Sequence, residues 1–231
     1  MRRRAKTAAW LVAIASAAMA AACATTTGSK SAPQNWDGLE LTPTKGVDAL
    51  YLRPQVHFKA YEDVLLDPVQ IAFDKNWDPN EYQLDISRHV SASEIEEIRT
   101  AMAMLFREAF TKELAKGGYK VVDQIGQNTL RVSAGLVDVY ITALDPMSSG
   151  RSLTLTNERG RMTLVMEMRD GPTGQLLARV LDRKVLDNFG TLMITNRVTN
   201  SADFRLAVSS WAKRLRESLD RVRAGAGPAA S

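Results

Sequence analysis

Carboxylate and amide side chains recur at alternate positions in one polar stretch, with the spacing that calcium-binding loops use for their oxygen ligands. Asp74, Asn76 and Asp78 would occupy the first, third and fifth places of such a loop, and Asp85 the twelfth. The sixth place is Pro79, where the loop requires glycine for its sharp turn, and a strand rather than a helix is predicted before it. We therefore expect a polar connection between elements and no metal site.

Residues that would mark catalysis are sparse. His57 and His89 are the only histidines, and neither has Cys or His neighbours at metal-ligand spacing. Either could act as a base, although a surface histidine is the commoner role. The chain has no Gly-x-Ser-x-Gly nucleophile elbow and no glycine-rich phosphate loop. Met162, Met166 and Met168 could form a soft-metal surface, but their alternation favours packing in the core. We expect no catalytic residue and no cofactor.

Three arginines form the best candidate for a binding site. Arg151, Arg159 and Arg161 lie in or beside a polar stretch that begins at Asp145. Guanidinium groups can bind phosphate, carboxylate or an acidic partner through paired hydrogen bonds. Asp145, Glu158 and solvent could equally satisfy them, because exposed charge clusters are usually solvated surface. An anion or partner site at these arginines is therefore a hypothesis.

The N-terminus has the pattern of an export signal. A short basic head is followed by an almost wholly apolar run over residues 8–22, which is too short for a permanent membrane-spanning helix. Small residues then precede Cys23, the only cysteine, as in a lipobox whose cysteine receives a lipid anchor, although Ala20 stands where leucine is usual. The alternative is ordinary cleavage after an Ala-x-Ala site, which would release a soluble protein.

These features divide the chain into four parts. We predict a signal peptide over residues 1–22, a lipidated N-terminus and flexible tether over 23–46, a single domain over 47–223 and a disordered tail over 224–231. The tether assignment depends on its small, polar and aperiodic composition. With one cysteine the domain cannot form an internal disulfide, so its hydrophobic core must stabilise it.

Charge disfavours a nucleic-acid partner. The chain has 30 basic and 26 acidic residues, and four of the basic residues but no acidic one precede Cys23. The predicted mature part therefore has 26 of each and no net charge, which gives no support for a basic binding surface. No second long apolar run follows the signal, so we expect the lipid anchor to be the contact with the membrane.

Periodicity predicts the elements of the domain. Ser93 and Glu96 have capping-box spacing before a helix that ends near Gly117 and Gly118. Its apolar positions, at steps of three and four, are Ile95, Ile98, Met102, Leu105 and Ala109. A second helix near the C-terminus has an apolar face made of Phe204, Val208, Trp211, Leu215, Leu219 and Val222.

Strands are expected before and between these helices. Residues 64–73 predict a first strand that Pro68 restricts to an edge or a bulge, and a phase change beside Gly135 predicts a β-bulge in a later strand. Residues 162–168 alternate, and residues 170–174 supply the turn of a hairpin. The order predicts an α+β fold, in which a mainly antiparallel curved sheet has a long helix after the first strand and a C-terminal helix packed on one face.

Several segments, in order along nearly the whole domain, resemble bacterial lipoproteins of the domain of unknown function 3313 family. They are Trp36-Asp37-Gly38-Leu39, Tyr51-Leu52-Arg53-Pro54, Tyr61-x-x-Val64-x-Leu66-x-Pro68-Val69, Gly150-Arg151-Ser152, Glu167-x-Arg169-Asp170-x-x-Thr173-Gly174-x-Leu176-Leu177, Asn200-Ser201-Ala202-Asp203-Phe204 and Trp211-Ala212. Gly171 departs from the pattern, which has serine in the hairpin turn. The resemblance implies an envelope lipoprotein and supplies no reaction, ligand or partner.

The expected function follows from the anchor and from the missing catalytic motifs. We expect a non-enzymatic binding or envelope-assembly module, anchored by lipid to the periplasmic face of the outer membrane, with an unknown envelope protein or polymer as partner. The outer-membrane assignment depends on Ala24, because an aspartate after the lipidated cysteine would favour inner-membrane retention. The alternative is an enzyme that acts on cell-envelope polymers through an acidic pair. A purely structural role through self-association is a third possibility.

Overall fold

The computed structural model describes residues 32–81, 85–141, 154–156, 158–187, 193–195 and 197–225. Their strands are β1 Asn35–Trp36, β2 Leu39–Thr42, β3 Ala49–Leu52, β4 Asp63–Leu66, β5 Gln70–Phe73, β6 Lys120–Val122, β7 Thr129–Ile141, β8 Thr154–Thr156, β9 Glu158–Asp170, β10 Leu176–Asp187 and β11 Met193–Thr195. The helices are α1 Ala92–Lys116 and α2 Arg197–Arg223, with short 3₁₀ helices at Phe58–Ala60 and Ile86–Arg88. None of the described helices is long and apolar enough to span a membrane.

Nine strands form one mixed sheet in the order β1-β2-β3-β10-β9-β7-β4-β6, with β5 also paired to β7. Most pairs are antiparallel, but β4 and β5 run parallel to β7, and β4 runs parallel to β6. Strands β8 and β11 form a separate pair. The predicted α+β fold with a mainly antiparallel sheet and a C-terminal helix on one face is therefore confirmed at this level.

The predicted place of the long helix, after the first strand, is wrong. Helix α1 follows β5, because three strands precede the segment that the sequence marked as the first one. Two of them, β1 and β2, lie within the predicted tether of residues 23–46, so the folded part begins earlier than residue 47. The β1–β2 turn has positive φ at both central residues, Asp37 and Gly38, which suits a two-residue hairpin and fixes Leu39 in a fully buried position.

Pro68 interrupts the predicted strand over residues 64–73. Strands β4 and β5 lie on either side of it, and both pair with the same edge of β7. Because proline has no N–H to donate, a break between two short strands is the expected result. The bulge predicted beside Gly135 lies slightly later, at Asp138, where φ is positive and the register between β7 and β9 shifts.

The N-cap of helix α1 lies two residues before the predicted cap. Ser91 accepts a hydrogen bond from the Glu94 N–H, and the Glu94 carboxylate accepts one from the Ser91 N–H. The capping box is therefore Ser91–Glu94 and not Ser93–Glu96, since both pairs have the required spacing. The end predicted at the two glycines is confirmed, because the helix stops at Lys116 with Gly117 as its C-cap.

Both helices pack on one face of the sheet and share one core with it. Buried residues of α1, α2 and alternate positions of β7, β9 and β10 form a continuous apolar cluster. A smaller cluster on the other face joins β2, β3 and β10 around Leu39 and Tyr51. Residues 32–231 form one compact unit, and since its core lies between residues 39 and 219, we expect this unit to fold independently.

Candidate functional site

A cavity of about 540 Å³ lies between α2 and the sheet. We call it the α2 cavity and define it by six of its lining residues, Leu50, Met166, Met168, Val180, Trp211 and Leu215. Its volume is within the roughly 300–1,000 Å³ that small-molecule sites occupy. Apolar side chains from β3, β9, β10 and α2 line its interior, so its chemistry suits an apolar ligand.

The layout of the helices explains why this space is not filled. Helix α1 packs against α2 and lies near β5 and β6, on one side of the sheet. Toward β3 the described residues that cover the apolar face belong to the loop before β3 and to the 3₁₀ helix Phe58–Ala60. A loop supplies fewer core side chains than a helix does, so a gap is left between α2 and the sheet.

Trp211 holds α2 in place at the cavity. Its indole is 2% exposed, and its Nε1–H donates to the Asp182 carboxylate on β10 at 2.6 Å. Asp182 is itself buried and lies 3.4 Å from the Lys184 ammonium. The predicted apolar face of the last helix is confirmed, because five of its six residues are buried and Val222 is half-buried. The indole N–H of Trp211 is already bonded to Asp182, so it is not available to a ligand.

Basic side chains surround the mouth of the cavity. Lys45, Lys59, Arg214 and Arg221, which we call the cationic rim, come from the loop before β3, the 3₁₀ helix and α2. The Arg214 guanidinium lies against the backbone of Gly46, where a side chain would clash with it. The acidic residue among the lining side chains, Glu217, already pairs with Lys213 at 3.8 Å and Arg216 at 3.4 Å.

The methionines predicted to pack in the core do so. Met162, Met166 and Met168 are all less than 7% exposed and belong to the main apolar cluster. Met166 and Met168 also line the α2 cavity, whereas Met162 lines a smaller cavity of about 160 Å³ beside Phe204. Flexible thioether side chains can adjust to ligands of different shape.

The predicted arginine site is only partly described. The Arg161 guanidinium donates to the Asp74 carboxylate at 3.1 Å and lies 4.3 Å from the centre of the Tyr140 ring. The Asn76 backbone N–H and Arg161 hold the pKa of Asp74 below its usual value. Arg151 and the side chain of Arg159 lie outside the described residues. An anion site shared by the three arginines therefore stays a prediction.

The aspartates with calcium-loop spacing form hydrogen bonds within local turns. Asp74 and Asp78 accept backbone N–H groups from the residues two positions later, and Asp85 caps the 3₁₀ helix through Ser87. Among the described residues, no group of three or more Asp, Glu, His or Cys side chains is placed to hold a metal ion. His57 is exposed beside the cavity mouth and His89 is exposed after the second 3₁₀ helix, far from one another in the sequence.

On the opposite face, Arg179 is buried in a polar and aromatic cluster. It donates to Glu167 at 2.6 Å and to Asp37 at 2.8 Å, and its guanidinium lies 4.0 Å from the centre of the Trp36 ring. Burial alone would raise the pKa of Glu167, but hydrogen bonds from Arg179 and Arg169 outweigh it and hold the pKa below its usual value. This cluster joins the first hairpin to the sheet.

Among the described residues, the carboxyl groups with shifted pKa values are Asp74, Glu113, Glu167 and Asp170. In every one of them the pKa is lowered, chiefly by hydrogen bonds to the ionised form. A general acid that works near neutral pH needs the opposite shift. None of these four carboxyl groups has the raised pKa of such a general acid.

Sequence reasoning did not find the α2 cavity or the cationic rim. The rim residues come from three segments, and the most distant two, Lys45 and Arg221, are 176 positions apart. Each basic residue alone is typical of solvated surface. One sequence pattern could have indicated the rim on α2. Arg214, Ser218 and Arg221 lie beside the apolar stripe of the helix, so basic and small polar residues follow one border of its buried face.

The comparisons with known proteins give one family match. The family model described as "Protein of unknown function (DUF3313)" matches residues 30–215. No curated protein matches the chain. Among solved structures, the PelC dodecamer from Paraburkholderia phytofirmans is 11% identical with a TM-score of 0.36, and the alignment covers 71% of this chain and 96% of that one.

Two further structures resemble the chain to a similar degree. A minor lipoprotein from Acinetobacter baumannii is 8% identical with a TM-score of 0.33, over 71% of this chain and 95% of that one. A DUF330 protein from Xanthomonas campestris is 11% identical with a TM-score of 0.40, over 81% of this chain and 94% of that one. These scores are too low to transfer a function.

Proposed function

The chain belongs to the DUF3313 family, and on this premise we propose that it is a lipid-anchored envelope protein that binds an apolar ligand in the α2 cavity. The binding role depends on one observation, the cavity of about 540 Å³ with an apolar interior. The anchor depends on the N-terminal sequence. The two parts can be tested separately.

Three features of the α2 cavity support ligand binding. An apolar recess of this size among the described residues is unusual, because protein interiors are close-packed. The side chains that line it include adaptable methionines and two rigid aromatic rings, Phe58 and Trp211. A loop and a 3₁₀ helix, not a long helix or a sheet strand, form the side of the cavity opposite α2 and the sheet, and ligand entry would occur there. A ligand that filled the space would recover the missing packing contacts.

The binding proposal is tested with a neutral fluorophore, N-phenylnaphthylamine, whose emission rises in apolar surroundings. We expect the unit of residues 32–231 to raise its emission with saturation. Val222→Trp would place a large ring in the cavity and should abolish that rise. Leu206→Trp is the matched control, since Leu206 lies on the same helix, is 71% exposed and does not line the cavity. Equal binding by both variants would overturn the proposal.

The anchor proposal assigns lipidation to Cys23 and places the protein at the periplasmic face of the outer membrane. An apolar run ending in three alanines before the single cysteine supports the first part, and Ala24 supports the second. Cys23→Ser should lose metabolic labelling by fatty acid, while Ala24→Asp should move the protein to inner-membrane fractions. Retained labelling of Cys23→Ser would reject the anchor, and recovery of the unchanged chain in inner-membrane fractions would reject the location.

A further inference from the structure

We propose that the occupant of the α2 cavity is a membrane lipid with an anionic headgroup, whose alkyl chain lies in the cavity and whose headgroup binds the cationic rim. This inference rests on the proposed function and names the ligand class for the same site. It needs two conditions, an interior that offers nothing to a polar group and a mouth that attracts negative charge. Both are met by described residues.

The interior accepts hydrocarbon only. The lining side chains from the sheet are Leu50, Leu52, Leu164, Met166, Met168 and Val180, and none of them has a strong hydrogen-bonding group. Trp211 has one, but its Nε1–H is bonded to Asp182 at 2.6 Å. A polar ligand in this space would leave its own groups unsatisfied, which costs free energy. The buried part of the ligand must therefore be an alkyl chain or a similar apolar group.

The positive charges of the cationic rim are not neutralised by carboxylates of the described residues. Lys45 and Lys59 are exposed, Arg214 is half-buried, and none of the three forms an ion pair with another described residue. Arg221 donates to the Ser218 hydroxyl at 3.1 Å and has no carboxylate partner among the described residues. Glu217 is the acidic residue that lines the cavity, and Lys213 and Arg216 already neutralise it.

Other arginines of the fold provide the contrast. Arg131, Arg161 and Arg179 each pair with a carboxylate at 3.1 Å or less. The cations that line the α2 cavity have no such carboxylate partner among the described residues. Guanidinium and ammonium groups bind phosphate and carboxylate through charge-assisted hydrogen bonds. Lys and Arg can also lay their apolar stems along a bound chain while their charges stay at the water boundary.

The size of the cavity favours a lipid chain over a partner helix. A helix with its side chains is about 10 Å across and needs an open groove. The α2 cavity is instead covered by the loop before β3 and by Phe58. A flexible alkyl chain can enter between such elements, whereas a preformed helix would have to displace them.

The test compares amphiphiles that share one dodecyl chain and differ in headgroup charge: dodecyl phosphate, dodecyl maltoside and dodecyltrimethylammonium. Each competes with N-phenylnaphthylamine for the unit of residues 32–231, below its micelle concentration. We expect dodecyl phosphate to bind about tenfold more tightly than the neutral maltoside, the effect of one charge-assisted hydrogen bond. The cationic amphiphile should bind most weakly. Added salt should reduce the advantage of the phosphate.

Variants of the rim separate headgroup recognition from folding. Lys45→Gln/Lys59→Gln changes two exposed side chains, so the fold should be unaffected while the phosphate loses its advantage over the maltoside. Arg214→Gln should have the same direction of effect. Arg205→Gln is the control, because Arg205 is exposed on α2 and does not line the cavity. If the rim variants and the control bind dodecyl phosphate equally, the inference is wrong.

A final arm tests whether the ligand comes from a membrane. Vesicles of phosphatidylcholine that contain pyrene-labelled phosphatidylglycerol should transfer the labelled lipid to the protein, and vesicles with labelled phosphatidylcholine should transfer less. Equal transfer of both lipids, or binding of all three dodecyl amphiphiles with one affinity, would overturn the anionic-lipid inference while leaving apolar binding intact. Failure of N-phenylnaphthylamine and of every amphiphile to bind would overturn the proposed function itself.

Discussion

Trp211 should contribute more to stability than most other single side chains on α2. Its indole is 2% exposed, lies within the main apolar cluster and donates to the buried Asp182 carboxylate. Truncation of a buried Trp or Phe to Ala typically costs about 3–5 kcal/mol, a large part of the roughly 5–15 kcal/mol that stabilises a domain. At about 2–4 °C per kcal/mol for a unit of this size, Trp211→Ala should lower Tm by roughly 6–20 °C.

Trp211→Phe divides this effect into packing and hydrogen bonding. Phenylalanine keeps most of the ring contacts but removes the donor, so Asp182 would keep only the Lys184 ammonium at 3.4 Å. An unsatisfied buried acceptor costs about 1–3 kcal/mol, so the loss should be smaller than for alanine but measurable. Thermal unfolding of residues 32–231 followed by circular dichroism measures both variants. Leu206→Ala, at a site 71% exposed on the same helix, is the control and should change Tm little. A Trp211→Ala variant with the same Tm as the unchanged protein would refute the core role of Trp211.

Three further predictions follow from local geometry. Gly171→Ser introduces the serine that the family resemblance led us to expect. It should destabilise the unit by about 1–3 kcal/mol, because a β-carbon there would lie 2.6 Å from the Thr129 carbonyl oxygen. An unchanged urea midpoint would contradict this prediction. The pKa of Glu167 is lowered from 4.5, so its ionised form stabilises the fold above that pH, and the stabilisation is lost as pH falls through the lower folded-state value. The urea midpoint of Glu167→Gln should therefore fall less than that of the unchanged protein between about pH 5 and about pH 3. An equal fall in both proteins would contradict this prediction. Ser91→Ala should cost about 1 kcal/mol and Ser93→Ala less, because Ser91 is the cap; the reverse order in thermal melts would reject the assignment.

Local features of the fold could be predicted from the sequence, and pairings between distant segments could not. The alternation over residues 162–168 and the glycines after α1 determine the structure of residues within a few positions of them. The strand and the helix end predicted from these two patterns are confirmed. The hairpin of β1 and β2 has only six residues in strands, and it directly follows a polar segment without periodicity. The sequence pattern therefore did not predict it. Its burial depends on β3 and on Arg179, which lies about 140 positions away.

The candidate site was beyond sequence reasoning for the same reason. Lys45, Lys59 and Arg214 meet at one mouth only because β3 pairs with β10 and α2 crosses the same face. No spacing rule joins residues on a loop, a 3₁₀ helix and a long helix. The arginines that stood out in the sequence were clustered along the chain, and Arg161, whose side chain the structure describes, is engaged with Asp74.

Methionine methyl NMR tests the central claim most directly, because the chain has methionines in both cavities. Met166 and Met168 line the α2 cavity, Met102 and Met162 line the smaller one, and Met104 is 65% exposed. Titration of N-phenylnaphthylamine into residues 32–231 with ¹³C-labelled methionine methyl groups should shift the Met166 and Met168 signals by ring currents and leave the other three unchanged. Shifts confined to Met102 and Met162, or at none of the five, would contradict ligand binding in the α2 cavity.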